Sequence, residues 1–191
     1  PTTVSVALSY PCFGFQVEAQ DFATSYIKTD SGSTVTRNQD LCTNGGSLAT
    51  INSTEGTLYA EIAALSDDGT FRLLGFSDGT SANRVYIGYS SADKITCSFQ
   101  VSSSVVYSFD FTTDITINSK LAIKYKENDF ALWVNGVEVN SQSSGNTFPI
   151  GTLTQMQFTS AATSSPFFGK TKCVAVFPIL TDSELQSLTT I

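Results

Sequence analysis

Trp133 and Asn135 stand two positions apart in Leu132-Trp133-Val134-Asn135-Gly136, and Tyr86 and Tyr89 share the run Arg84-Val85-Tyr86-Ile87-Gly88-Tyr89. An aromatic ring can stack on the apolar face of a sugar while a planar amide beside it hydrogen-bonds the hydroxyls. Tyr86, Tyr89, Trp133 and Asn135 are therefore the candidate carbohydrate-binding set. Strand alternation divides it: Phe130, Leu132 and Val134 share one face and Trp133 takes the other with Ala131. Trp133 then either faces solvent on an outer sheet surface or packs against a loop. In the other run Tyr86 opposes Val85, Ile87 and Tyr89.

The carboxylates suggest a second chemistry. Hard cations take oxygen ligands from several loops, and Asp67, Asp68, Asp78 and Asp129 all fall at turns. Asp78 and Asp129 are the candidate metal ligands and calcium the one candidate cofactor, against the simpler account that Asp-Gly and Asn-Asp serve turn geometry alone. Glycoside cleavage needs two carboxyl groups facing each other roughly 5 to 9 Å apart. Glu61 is the only acid on its strand and Glu138 is followed by Asn140, with no alternating run of acids, so no enzymatic activity is expected. The chain has no histidine, which removes Ser-His-Asp and Cys-His catalysis and the common hydrolase zinc sites. Cys12, Cys42, Cys97 and Cys173 form no CxxC, and long-range disulfides and small buried hydrophobes both remain open for them.

Only 14% of the 191 residues are charged, with 10 Lys and Arg against 17 Asp and Glu. Nucleic-acid affinity comes mainly from clustered cations, so a net charge of -7 makes nucleic acid a poor partner. The longest apolar stretch, Val174 to Leu180, is far shorter than the roughly 20 residues a spanning helix needs, and no membrane insertion is expected. The chain opens on Pro1 without a signal-like start and reads as a processed or excised part of a longer protein.

The elements that must position these residues are strands. Ser and Thr together make 51 of the 191 residues, and apolar-polar alternation recurs between turn signals. Strands are expected over 57–63, 71–77, 84–89, 94–101, 105–111, 121–126, 130–134, 137–140, 156–158 and 173–177. Asn135-Gly136 suits a type I′ hairpin turn. Thr181-Asp182-Ser183-Glu184 is a capping box, with Leu180 and Leu185 as its hydrophobic staple, and predicts one short C-terminal helix. Extended segments over 4–10 and 12–19 precede a polar connector at 30–38. The reading divides the chain into 1–35, terminal strands of a preceding domain plus connector, and 36–191, an all-β, two-sheet antiparallel sandwich.

Three stretches carry a resemblance. Phe15-Gln16-Val17-Glu18, Phe22 to Ile27 and Thr36-Arg37-Asn38-Gln39-Asp40 resemble the run that, in many phage tail and fibre proteins, links a carbohydrate-binding-like domain to a following sandwich. Lys28 stands where those proteins usually place Pro. Ser53 to Tyr59, Ser77-Asp78-Gly79-Thr80 with Asn83-Arg84-Val85, Leu132 to Gly136, and Phe168 to Leu188 resemble the concanavalin A-like lectin/laminin G-like superfamily of phage structural proteins. The resemblance implies a concanavalin A-like jelly roll on the virion surface, in a tail or head fibre, binding host-surface glycan. It also implies other virion proteins as partners and a homo-oligomer, by resemblance a trimer. The alternative is a purely structural virion module that mediates protein-protein assembly without binding glycan. The fold hosts both roles.

Overall fold

The computed structural model describes residues 17, 25–28, 35, 45–161 and 164–191. Packing divides the chain into two compact units, Pro1–Gln39 and Asp40–Ile191. The extended segments expected over 4–10 and 12–19, and the thiols of Cys12 and Cys42, lie outside the described residues. In the second unit Cys97 is a buried free thiol and Cys173 an exposed one.

Among the described residues, alternation of apolar and polar residues becomes ten strands: β1 Gly56–Ala63, β2 Arg72–Ser77, β3 Arg84–Ser91, β4 Lys94–Val101, β5 Ser104–Thr112, β6 Ser119–Lys126, β7 Asp129–Val134, β8 Val137–Gln142, β9 Gln155–Gln157 and β10 Lys170–Phe177. They pair antiparallel into two five-stranded sheets, β10-β1-β6-β7-β8 and β5-β4-β3-β2-β9. The second sheet is largely a meander, because β2 to β5 each pair with the next, through a loop at 78–83 and two-residue turns at 92–93 and 102–103. At the β7–β8 turn Asn135 and Gly136 take φ of 50° and 84°, the two consecutive positive values that a type I′ turn requires.

The core is the space between the sheets. Leu58, Ala60 and Ile62 of β1 and Ile123 and Tyr125 of β6 face Val85, Ile87 and Tyr89 of β3 and Ile95, Cys97 and Phe99 of β4. Phe99 sits at its centre, with ring centroids of Phe148, Phe130 and Tyr125 at 4.5, 5.0 and 5.6 Å. Each such side chain removed from water contributes about 1.5–3 kcal/mol. Arg72, on the inward face of β2, is fully buried at the mouth of this core. It is ion-paired with Asp68, donates from Nη1 to the Ser66 carbonyl at 2.8 Å, and lies 4.4 Å from the Phe168 ring centroid.

The single helix among the described residues, α1 Asp182–Thr189, starts as its sequence dictates. The Glu184 amide donates to Thr181 Oγ1 at 3.4 Å, and the Thr181 amide donates to the Glu184 carboxylate at 2.8 Å. The helix lies on the outer face of the first sheet, where Leu185 closes a second apolar cluster with Tyr59, Ala122, Ala131 and Trp133. Leu180, the other half of the expected staple, packs there too. Lys124 tethers it: its ammonium lies 2.9 Å from both Asp182 and Asp129.

Candidate functional site

The four expected sugar-binding residues are not brought together, and this corrects the sequence reading. Tyr89 points inward and is 1% exposed in the core. Trp133 does face the outside of the first sheet, but α1 covers it to 7% exposure, and its Nε1 is buried without a hydrogen-bond partner. The covering element is a helix rather than the loop considered above. Asn135 is fixed in its turn, its side-chain oxygen accepting from the Lys120 amide at 2.9 Å. Of the four, Tyr86 alone lies on the outer face of the second sheet, half-buried.

Register assembles a different set around Tyr86. Residues directly opposite on neighbouring antiparallel strands put their side chains on the same face. Gln157, Gly75, Tyr86, Ser98 and Ser108 therefore form one row across all five strands of the second sheet. The adjoining rows are Gln155, Ser77, Arg84 and Gln100 on one side and Leu73, Gly88, Thr96 and Asp110 on the other. Their strand neighbours Val85, Ile87, Cys97 and Phe99 fill the core, so all three rows project outward. Tyr86, on the middle strand, has a glycine and a serine as its neighbours in the row. Ser77, Ser98 and Thr96 are buried although they point away from the core.

Arg84 and Tyr86 share this face two residues apart, and the guanidinium carbon lies 5.1 Å from the Tyr86 ring centroid. The guanidinium is fixed from two sides, Nε donating to Gln100 Oε1 at 2.9 Å and Nη1 to the Ser160 carbonyl at 2.7 Å. Ser77 Oγ donates to Gln157 Oε1 at 3.3 Å, at the edge formed by β9. The result is an aromatic ring beside a positioned cation, two glutamine amides and three small hydroxyls. A sugar ring could stack on the tyrosine while its hydroxyls or a carboxylate meet the amide and guanidinium groups. In the three rows Asp110 is the single carboxylate among the described residues, so the face carries no facing acid pair of the kind glycoside cleavage uses.

Arg84, Gln100, Ser98 and Gln157 were missed in the sequence reading. The parity of Arg84-Val85-Tyr86 already placed Arg84 beside Tyr86. Gln100 and Gln157 needed the strand register, which pairs residues 16 and 82 positions apart.

The candidate metal ligands serve their turns. Asp78 Oδ1 accepts from the Thr80 amide at 2.8 Å and hydroxyl at 2.6 Å, and Oδ2 accepts from Asn83 Nδ2 at 2.8 Å. Desolvation pushes its carboxyl up, but these hydrogen bonds outweigh it and hold it below the ordinary range. Asp129 faces Lys124 across the β6–β7 hairpin. Asp78 directly follows β2 of the second sheet and Asp129 opens β7 of the first, and among the described residues no three of His, Cys, Asp and Glu gather as a metal site would need. Glu61 accepts from Asn118 Nδ2 at 2.8 Å and Lys172 Nζ at 3.1 Å.

No protein-family model matches the chain, and no curated protein does. Solved structures share its fold. The CBM40 of the Ruminococcus gnavus IT-sialidase, bound to α2,3-sialyllactose, aligns with a TM-score of 0.60 at 17% identity, over 71% of this chain and 83% of that one. Domain 4 of AbnA, a GH43 extracellular arabinanase from Geobacillus stearothermophilus in complex with arabinotriose, aligns at 0.58 and 14% identity, over 73% and 68%. The native heptameric SAP-like pentraxin of Limulus polyphemus aligns at 0.56 and 11%, over 76% and 73%. At these identities the likeness is one of fold, and it bears out the expected two-sheet antiparallel sandwich with one short helix.

Proposed function

We propose that this chain is a non-enzymatic glycan-binding sandwich of a phage virion protein, a tail or head fibre, and that it presents the outer face of the β5-β4-β3-β2-β9 sheet to host-surface carbohydrate. One observation carries the reading: the half-buried Tyr86 ring stands at the middle of a polar row, with Arg84 held beside it by Gln100 and Ser160. Support comes from two fold neighbours that were determined with sialyllactose and arabinotriose bound. The virion setting and the oligomer rest on the resemblance of residues 15–40 and of the later segments to phage fibre proteins. No contact in this reading runs through calcium.

The test is binding of the purified chain to host cells and to a panel of surface glycans, with and without chelator. Saturable binding that chelator leaves unchanged is expected. Failure of the folded chain to bind any glycan would overturn the reading.

An assembly role has one observation of its own in favour. Among the described strands β5 is a nine-residue edge strand carrying a single charge, Asp110, and Val105 on it is 61% exposed. Edges this weakly guarded can pair with another chain. Light scattering of the full chain, beside a Val105→Lys variant at the exposed position of that edge, separates an edge-paired assembly from a monomer.

A further inference from the structure

A concave feature lies away from the Tyr86 face. Three segments frame a cleft of about 620 Å³: Thr54-Glu55 ahead of β1, Lys126-Glu127 at the β6–β7 turn, and 146–150 after β8. Its volume matches small-ligand sites, but it is open to solvent and would hold the end of a ligand without enclosing it. The walls are tied to one another. Tyr125 Oη donates to the Asn52 carbonyl at 2.6 Å, the Asn128 amide to the Gly145 carbonyl at 2.9 Å, the Gly145 amide to Asn128 Oδ1 at 3.1 Å, and the Leu153 amide to Ser53 Oγ at 2.9 Å. A site so cross-braced is preformed and needs little ordering on binding.

Two details of the walls indicate the ligand class. Ile150 is 91% exposed at the cleft, at the tip of a turn closed by the Thr152 amide donating to the Pro149 carbonyl at 3.3 Å, with Gly151 supplying the positive φ of 79°. A large aliphatic side chain held out on a fixed turn offers an apolar contact that the fold itself does not use. The charges, in contrast, nearly cancel. Lys126 and Glu55 pair at 3.3 Å, while Glu127 makes no ion pair among the described residues. One net negative charge disfavours an anion, and carboxylate and amide groups from Glu127 and Asn146 suit hydroxyl donors.

We infer that this cleft is a second carbohydrate site, taking the end of an uncharged oligosaccharide, with Ile150 and Pro149 against its C–H face and Glu127 and Asn146 hydrogen-bonding its hydroxyls. The choice of a sugar rests on the glycan-binding reading above; the position of the site does not. The two sites differ in chemistry, since the Tyr86 face offers a guanidinium and the cleft a carboxylate. A chain bearing both could engage two parts of one glycan or two glycans, and linked sites of this kind raise avidity without any new contact.

The test is an NMR titration of the full chain, labelled at isoleucine methyls and tyrosine rings, with lactose and with arabinotriose. A saturable shift of the Ile150 methyl with either sugar is expected, retained in Tyr86→Ala and weakened about tenfold in Glu127→Gln and in Asn146→Ala. Loss of the Ile150 shift in Tyr86→Ala would mean one site rather than two and would overturn the proposal. An unmoved Ile150 with both sugars would overturn it as well. The Tyr86 ring signal reports separately on the sheet-face reading, so one can fail while the other stands.

Discussion

Tyr86 and Trp133, the two aromatic residues that the sequence offers most readily as sugar platforms, project outward from opposite sheets, and Tyr86 is the more exposed of the two. Trp133 lies under Leu185 of α1, whereas Tyr86 stands on a row whose nearest members are Gly75 and Ser98. Covering the indole makes Trp133 part of the packing that holds the C-terminal helix. Sparing the tyrosine leaves a half-buried ring beside a cation at the middle of a largely polar sheet face.

The first expectation concerns that packing. Trp133→Ala empties the cluster between α1 and the sheet and should cost about 3–5 kcal/mol in urea unfolding, the usual cost of truncating a buried aromatic. Trp133→Phe should cost less, because it also removes a buried Nε1 donor that has no acceptor. Equal losses for the two variants would contradict this account of the cluster. The chain holds one tryptophan, so its blue-shifted emission should move to the red when α1 is displaced.

A second expectation follows from the buried cation. Arg72 is fully buried and paired with Asp68, so Asp68→Asn strands a charge and should destabilise the fold by about 3 kcal/mol. Arg72→Met, which removes the charge, should cost less. The Asp68 carboxyl titrates at about 2: desolvation pushes it up, but hydrogen bonds from Thr70 and Ser66 and the Arg72 charge outweigh it. A carboxyl with a lowered folded-state pKa contributes stability that is fully present above its unfolded value, near 3.8, and is lost as pH falls toward 2. Unfolding midpoints measured between neutral pH and about 2 should fall in that window, and Asp68→Asn should flatten the decline. An unchanged slope in the variant would sink the assignment.

How much of this was legible beforehand differs from one element to another. Val85-Tyr86-Ile87 and Phe130 to Val134 announce strands because alternate residues meet a core, a local signal. Thr181 to Glu184 announces a helix start because both cap bonds fall within four residues. Asn135-Gly136 announces its turn through φ alone. The covering of Trp133 was not legible, since it depends on where α1 docks after nearly fifty intervening residues. The Tyr86 site was half legible. Alternation gives its face, but the strand order and the partners Gln100 and Gln157 come from register, which no single strand encodes.

Gly136 tests the same link between turn and helix. A Cβ added there would lie 2.8 Å from Thr190 Oγ1, and the φ of 84° is one that other residues rarely adopt. Gly136→Ala should therefore destabilise by at least about 1 kcal/mol. Because the Gly136 amide donates to Thr189 Oγ1 at 3.1 Å, the loss should appear as faster amide exchange in α1. Exchange confined to the β7–β8 turn would argue against the coupling.

The thiols provide a chemical check on the layers. Burial pushes Cys97 up to about 12, so it should resist alkylation by iodoacetamide in the native chain, while exposed Cys173 reacts. Mass spectrometry of the digested adduct distinguishes them, and early labelling of Cys97 would contradict the packing described.

The most direct test of the central claim is glycan-panel binding by Tyr86→Ala and Trp133→Phe beside the unaltered chain, each first confirmed folded. The account expects Tyr86→Ala to weaken binding to the best panel glycan by about tenfold or more, equivalent to roughly 1.4 kcal/mol, with Trp133→Phe close to the unaltered chain. Full binding by Tyr86→Ala, with loss in Trp133→Phe, would contradict it and move the site to the helix-covered sheet.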